Sequence, residues 1–306
     1  MTAIAPTRTA GVSWGATAAA YLALTKPRII ELLLVTTLPA MVLAAHGLPG
    51  LGLTAATMLG GSAAAGSANA LNCFLDRDID ALMGRTAGRP LNRHQITPRN
   101  ALIFGLVLGV ASVLTLWVTA NLLAASLTLG AIVVYVVGYT MILKRRTSAN
   151  IVWGGSAGCM PTLIGWAAVT GRLELTPFLL FAVVFFWTPP HFWALAMRFR
   201  EDYASAGVPM LPVVATASVV VRRMLGYTWL TVVSSLLIWP VARTGAFYPL
   251  AAAVLGAVFL REVTLLRRQV DAAGAVRPMR VFHWSITYLS LLFACLAVDV
   301  LVRSWW

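Results

Sequence analysis

The sequence predicts an all-α, polytopic membrane bundle of nine transmembrane helices. Three observations carry this. The 306 residues are 59% hydrophobic and only 11% charged, with a mean hydropathy of +0.83, more apolar than a soluble core of that size requires. The apolar residues fall into long runs between short polar loops. A non-barrel chain in lipid satisfies its backbone only as helices. Finally, the basic residues alternate from loop to loop along the chain.

The runs lie at roughly 29–46, 51–71, 101–120, 122–143, 151–170, 175–196, 222–242, 246–266 and 284–302. Twenty of the 23 basic residues fall on one side of this arrangement. They are Arg8, Lys26 and Arg28; Arg77, Arg85, Arg89, Arg93 and Arg99; Lys144, Arg145 and Arg146; Arg198, Arg200, Arg222 and Arg223; and Arg261, Arg267, Arg268, Arg277 and Arg280. Only Arg172, Arg243 and Arg303 face the other way. The positive-inside rule places the N-terminus in the cytoplasm and, with nine spans, the C-terminus outside. Topology thus accounts for the +13 net charge, and no nucleic-acid partner is expected.

Residues 1–25, rich in Ala and Thr, read as a loose cytoplasmic tail, and 26–306 as a single membrane domain. Cys73, Cys159 and Cys295 have no metal-like spacing and read as small apolar fillers. Trp305 and Trp306 beside Arg303 suit an interfacial anchor. The Ala/Gly-rich stretches 60–68 and 154–158 favour close helix contact. Outer loops are short, while 76–100, 197–221 and 267–283 are long, so chemistry is expected on the cytoplasmic side.

Residues 72–80 read Asn-Cys-Phe-Leu-Asp-Arg-Asp-Ile-Asp and hold three of the ten acidic residues. Asn72, Asp76 and Asp80 are spaced by four, so on a helix they drift only about 40° per step and share one face. Two carboxylates and an amide oxygen on one stripe can hold Mg²⁺, which shares its coordination with substrate phosphates. Arg85 and Arg89 follow in the same loop and suit a diphosphate clamp, since guanidinium groups bind phosphate bidentately. A second constellation is Pro190-His191-Phe192 through Arg198 and Asp202, where i, i+4 and i, i+7 spacing puts His191, Arg198 and Asp202 together. An ionisable residue inside a span is a functional hypothesis by default. Weaker signals are Lys26-Pro27-Arg28, Lys144-Arg145-Arg146 and His283, each also readable as a helix flank. A transporter would carry its ionisable groups near mid-membrane in interrupted helices, whereas these cluster at one face.

With nine spans and Asn-x3-Asp-x3-Asp ending the second, the chain resembles the UbiA superfamily of intramembrane prenyltransferases. Segments 24–28, 72–80 with Arg85-Thr86, 144–147, 154–158, 190–192, 202–203 and 208–212 are similar to its branch that farnesylates protohaem IX, so the resemblance covers nearly the whole chain. It implies an integral protein of a bacterial plasma membrane with its active site on the cytoplasmic side. The implied reaction joins farnesyl diphosphate, haem b and water to give haem O and diphosphate, with Mg²⁺ as cofactor. Asn72, Asp76 and Asp80 would hold the metal. Arg85, Arg89 and Asp202 would complete the catalytic set. Lys26, Arg28, Lys144, Arg146, His191, Arg198 and His283 would bind substrates. Membrane lipid and haem-handling or oxidase-assembly proteins are implied partners. Many superfamily members carry a second Asp-x3-Asp; here its aligned pair is Arg198 and Asp202. That departure disfavours the alternative acceptor, an aromatic quinone precursor, and suits an arginine meeting a haem propionate.

Overall fold

The computed structural model describes residues 14–304, and every regular element among them is helical. Expectations for Arg8, Trp305 and Trp306 lie outside the described residues.

Part of the segment read as a loose tail is ordered. Helix α1, Trp14–Thr25, packs Ala20 and Leu24 against Ala70 and Cys73. Lys26 then adopts a left-handed conformation (φ 54°), and Pro27 opens α2, Pro27–Ala45, where its missing N–H costs nothing. α3, Leu51–Leu75, lies tightly on α5, Pro98–Thr119. A Cβ on Gly105 would come within 2.8 Å of Leu71. This closeness lets Ser67 donate to the Gly105 carbonyl and Ser112 to the Gly60 carbonyl, each at 2.7 Å. Small residues thus allow close approach, and hydroxyls bond across the seam.

Short α4, Arg77–Asp80, follows α3. α6, Leu122–Val133, continues as a π-helix over Val134–Leu143. The expected fifth span is broken into α7, Asn150–Gly154, and α8, Ser156–Thr170. α9, Leu175–Arg198, leads to short α10, Arg200–Ser205, and α11, Leu211–Val214. Three long helices finish the bundle: α12 Ala217–Ala242, α13 Phe247–Asp271 and α14 Pro278–Ser304.

Seven described helices are long and apolar enough to cross a membrane, counting α6 with its π extension as one. Each of the nine expected runs is helical, but two miss that standard. α3 is long, yet its Gly, Ser, Thr and Asn residues dilute its hydropathy. α8 is only 15 residues after its break. The outward faces confirm the environment. Leu106, Val110, Trp117, Val118, Leu230 and Val254 are all more than 45% exposed, a surface suited to lipid and not to water. The interior packs α2, α8, α9, α12, α13 and α14 around Trp187, Trp193, Tyr248, Phe259, Tyr288 and Phe293. This is an integral membrane protein. Its polar residues gather at the end where α3, the π-helix and α9 terminate.

Candidate active site

Helix α3 ends at Leu75 and α4 begins at Arg77, yet the polar stripe survives this seam. Asp76 N–H donates to the Asn72 carbonyl at 2.9 Å and Asp80 N–H to the Asp76 carbonyl at 2.8 Å, so the i, i+4 rise continues. Asn72, Asp76 and Asp80 are all buried, Asp76 completely. Asn72 Nδ2 donates to Asp76 Oδ2 at 2.6 Å and to Thr140 Oγ1 at 3.1 Å.

Each polar member of the stripe is met by a cation. Lys26 Nζ donates to Asn72 Oδ1 at 2.9 Å. Its ammonium reaches there because the left-handed turn at Lys26 separates α1 from α2. Lys144, from the end of the π-helix, pairs with Asp76 Oδ2. Arg89 pairs with Asp80 Oδ2. Its loop is closed by Thr86, whose hydroxyl donates to the Asp80 carbonyl at 2.7 Å. Burial pulls the Lys26 ammonium down to about 8, and the nearby Arg89 and Lys144 charges push the same way. Arg145 stands 3.6 Å from Asp76 Oδ1 and binds exposed Asp78 bidentately at 2.6 and 2.7 Å. Those bonds hold the Asp78 carboxyl down to about 2. Four cations thus surround three carboxylates, a surplus that favours an anionic ligand.

Arg85 and Asp202 stand beside this cluster. Arg85 N–H donates to Asp202 Oδ2 at 3.1 Å, and its guanidinium donates to Tyr203 Oη at 3.1 Å. The two long inner loops therefore meet.

Other expected members are elsewhere. The shared face of His191, Arg198 and Asp202 does not form. α9 stops at Arg198, Phe199 leaves helical dihedrals (φ −109°, ψ 33°), and α10 begins at Arg200. Asp202 turns to Arg85. Arg198 and Arg200 line a separate hollow of about 460 Å³ with Pro212, Thr216, Val276 and Pro278. His191 stacks between Trp187 and Phe282, at 4.3 and 4.5 Å, and its Nδ1 meets Ser285 Oγ at 2.7 Å. Arg28, Arg146 and His283 are exposed and outside the cluster.

Sequence reasoning chose Lys144 and Arg146, whereas Lys144 and Arg145 face the stripe. It also passed over Thr140 and Tyr203. The four-residue spacing of Thr140 and Lys144 was the available signal for the first. Asn69, one turn before Asn72, donates to the Thr25 carbonyl at 2.9 Å. With Tyr135 it lines the mouth of an apolar cavity of about 130 Å³ between α2, α3, α6 and α8. Ile29, Leu33, Gly61, Ala64, Ala68 and Ile164 form much of its wall.

The donor set fits a hard divalent cation that completes its shell with substrate oxygens. Among the described residues no three His, Cys, Asp or Glu side chains converge into a cage. Yet Asp76 Oδ1 is buried without a hydrogen-bond partner, and Asp80 Oδ1 and Asn72 Oδ1 lie on the same stripe.

A polar cluster above an apolar cavity, at one end of a helical bundle, agrees with the comparisons to known proteins. Residues 33–286 match the UbiA prenyltransferase family. The chain is 57% identical over 289 residues to "Protoheme IX farnesyltransferase" of Nocardioides sp. strain JS614, covering 94% of this chain and 92% of that one. It is 57% identical over 287 residues to the protein of the same name from Frankia casuarinae, covering 94% and 99%. A solved UbiA homolog from Archaeoglobus fulgidus, bound to GPP and Mg²⁺, shares the fold with a TM-score of 0.68 at 17% identity, covering 92% of this chain and 99% of that one. With the motif, the bundle and near-complete coverage in agreement, the chain belongs to the UbiA prenyltransferase family of integral membrane enzymes.

Proposed function

We propose that this enzyme transfers the farnesyl group of farnesyl diphosphate to a vinyl group of protohaem IX, giving haem O, with Mg²⁺ as its cofactor. The observation that carries the reading is the buried stripe Asn72, Asp76 and Asp80, faced by Lys26, Arg89 and Lys144 directly above the apolar cavity. The names of the relatives that match nearly the whole chain support haem as acceptor.

Asn72, Asp76 and Asp80 would hold the metal, which would supply Lewis-acid neutralisation of the diphosphate. Lys26, Arg89 and Lys144 bind the diphosphate oxygens, with Arg85 and Arg145 at the rim, so negative charge developing on the leaving group is matched in a water-poor site. The isoprenoid tail lies in the cavity, its C1 beside Asn69 and Tyr135. The C1–O bond breaks and its electron pair leaves with the diphosphate. The cavity shields the allylic cation from water. The vinyl π pair then forms the new carbon–carbon bond. Water adds to the resulting cation on the porphyrin side chain and releases a proton, which balances the overall reaction.

His191, Arg198 and His283 serve the acceptor side. Arg28 and Arg146 contribute long-range attraction for the anionic substrates. The N-terminus and the active site face the cytoplasm of a bacterial plasma membrane, the C-terminus lies outside, and 26–306 form one domain. Proteins that deliver haem or receive haem O dock from this side. The experiment is a product assay by mass spectrometry: purified enzyme with farnesyl diphosphate, Mg²⁺, and haem and 4-hydroxybenzoate in competition. Haem O is the expected product. Prenylated 4-hydroxybenzoate alone would replace this reading with the quinone-precursor one.

A further inference from the structure

Each group assigned to the metal is paired with a cation of the chain itself. Lys144 occupies Asp76, Arg89 occupies Asp80 and Lys26 occupies Asn72 Oδ1. These pairs are sheltered: the carboxylates are 0% and 3% exposed, and the Lys144 and Arg89 side chains 11% and 22%. Splitting such a pair strands a desolvated charge.

We infer that Lys26, Arg89 and Lys144 are place-holders as well as diphosphate ligands, so that metal and diphosphate load together and neither loads well alone. The inference rests on the metal and diphosphate reading above. A metal ion arriving alone takes the carboxylates and leaves Lys144 and Arg89 unpaired inside the protein. A diphosphate arriving alone takes the cations and leaves Asp76 and Asp80 unpaired. When both arrive, carboxylates pass to the metal, cations pass to the phosphates, and no buried charge is stranded. No covalent step is involved. The exchange needs only side-chain rotation, because all three cations are long and flexible. By linkage, each ligand tightens the other by the same factor. The device also keeps a bare metal ion from idling in the site.

The test uses the full chain in nanodiscs and unreactive farnesyl thiolodiphosphate, whose binding is read by tryptophan fluorescence. Its affinity is expected to rise at least about tenfold between EDTA and saturating Mg²⁺. In parallel, Mn²⁺ alone is titrated by electron paramagnetic resonance. Lys144→Met is expected to bind Mn²⁺ at least about tenfold more tightly than wild type, since Asp76 then loses its nearest cation and keeps only Arg145 at 3.6 Å. Arg77→Met controls for loss of a nearby charge, because exposed Arg77 donates to the Phe74 carbonyl; it should change Mn²⁺ affinity less than about threefold. Equal thiolodiphosphate affinity with EDTA and with Mg²⁺, while Mn²⁺ binds wild type well alone, overturns the place-holder inference and leaves the metal reading intact. Absence of bound Mn²⁺ in every variant, with or without thiolodiphosphate, overturns both. The wild-type arm stands even if Lys144→Met does not fold.

Discussion

Replacing Asp76 with asparagine separates charge from shape at the most buried carboxylate of the site. The substitution keeps an acceptor oxygen for Lys144 and for Asn72 Nδ2, but it removes the negative charge. Two effects follow, and they differ in size. Truncation to alanine would leave Lys144 unpaired in a site where its side chain is 11% exposed, a cost of about 3–5 kcal/mol for breaking a buried pair. The isostere retains a polar contact, so the expected loss of stability is about 2 kcal/mol. The catalytic loss is larger. Removing one preorganised electrostatic contact to a developing anion costs about 10²–10³ in kcat, and in the proposed mechanism the lost group is also a metal ligand. Asp76→Asn should therefore remain a monodisperse membrane protein, melt modestly lower, and turn over at least about 100-fold more slowly. Asp76→Ala should abolish transfer. The assay is haem O formation at saturating farnesyl diphosphate, with the melting curve recorded on the same sample. An Asp76→Asn enzyme that turns over within about threefold of wild type would refute the reasoning.

The cavity gives a prediction about chain length. A Cβ on Gly61 meets nothing within 4 Å, yet Gly61 lines the cavity and lies eleven residues, about 16 Å along a helix, before Asn72. Gly61→Leu should fold normally, lower kcat/KM for farnesyl diphosphate by about tenfold or more, and spare geranyl diphosphate, because one or more methylenes must now be excluded. Equal losses on both substrates would place the prenyl chain elsewhere. Asp78 offers the contrasting case, since its carboxylate is 60% exposed. Its bonds to Arg145 hold the folded-state carboxyl near 2 against an ordinary 3.8, so any stability it supplies is present above about pH 4 and is lost as pH falls toward 2. Asp78→Asn should thus leave both turnover and melting temperature nearly unchanged between pH 6 and 8, as an exposed pair contributes at most about 1 kcal/mol. A large drop in kcat would show that Asp78 shares the work of Asp76.

What the sequence could reveal follows from what lipid punishes. An acid in an apolar chain is costly unless partnered, so Asp76 and Asp80 stand out from composition alone. Their four-residue spacing was trustworthy because the backbone keeps i, i+4 bonding across the α3–α4 seam. The partners were less legible, because each is aimed by an interruption that periodicity does not encode. Lys26 reaches Asn72 from a left-handed residue. Lys144 bonds back to Tyr139, an i to i−5 step of the π-helix. Arg145, one residue on, stands 3.6 Å from Asp76, whereas the resemblance pointed to Arg146. An unbroken helix through Phe199 would join Arg198 to Asp202, but Asp202 meets Arg85 while Arg198 lines a separate hollow. These interruptions sit at one end of the bundle, around one polar cluster. Irregular backbone is tolerated at membrane depth only where protein or a cavity covers it, and its strain persists only where the surroundings hold it. Breaks that would be costly on the lipid face are here what brings cations from α2, the 80–92 loop and the π-helix onto a single stripe of α3 and α4. An uninterrupted bundle of the same composition would present Asp76 and Asp80 with fewer partners.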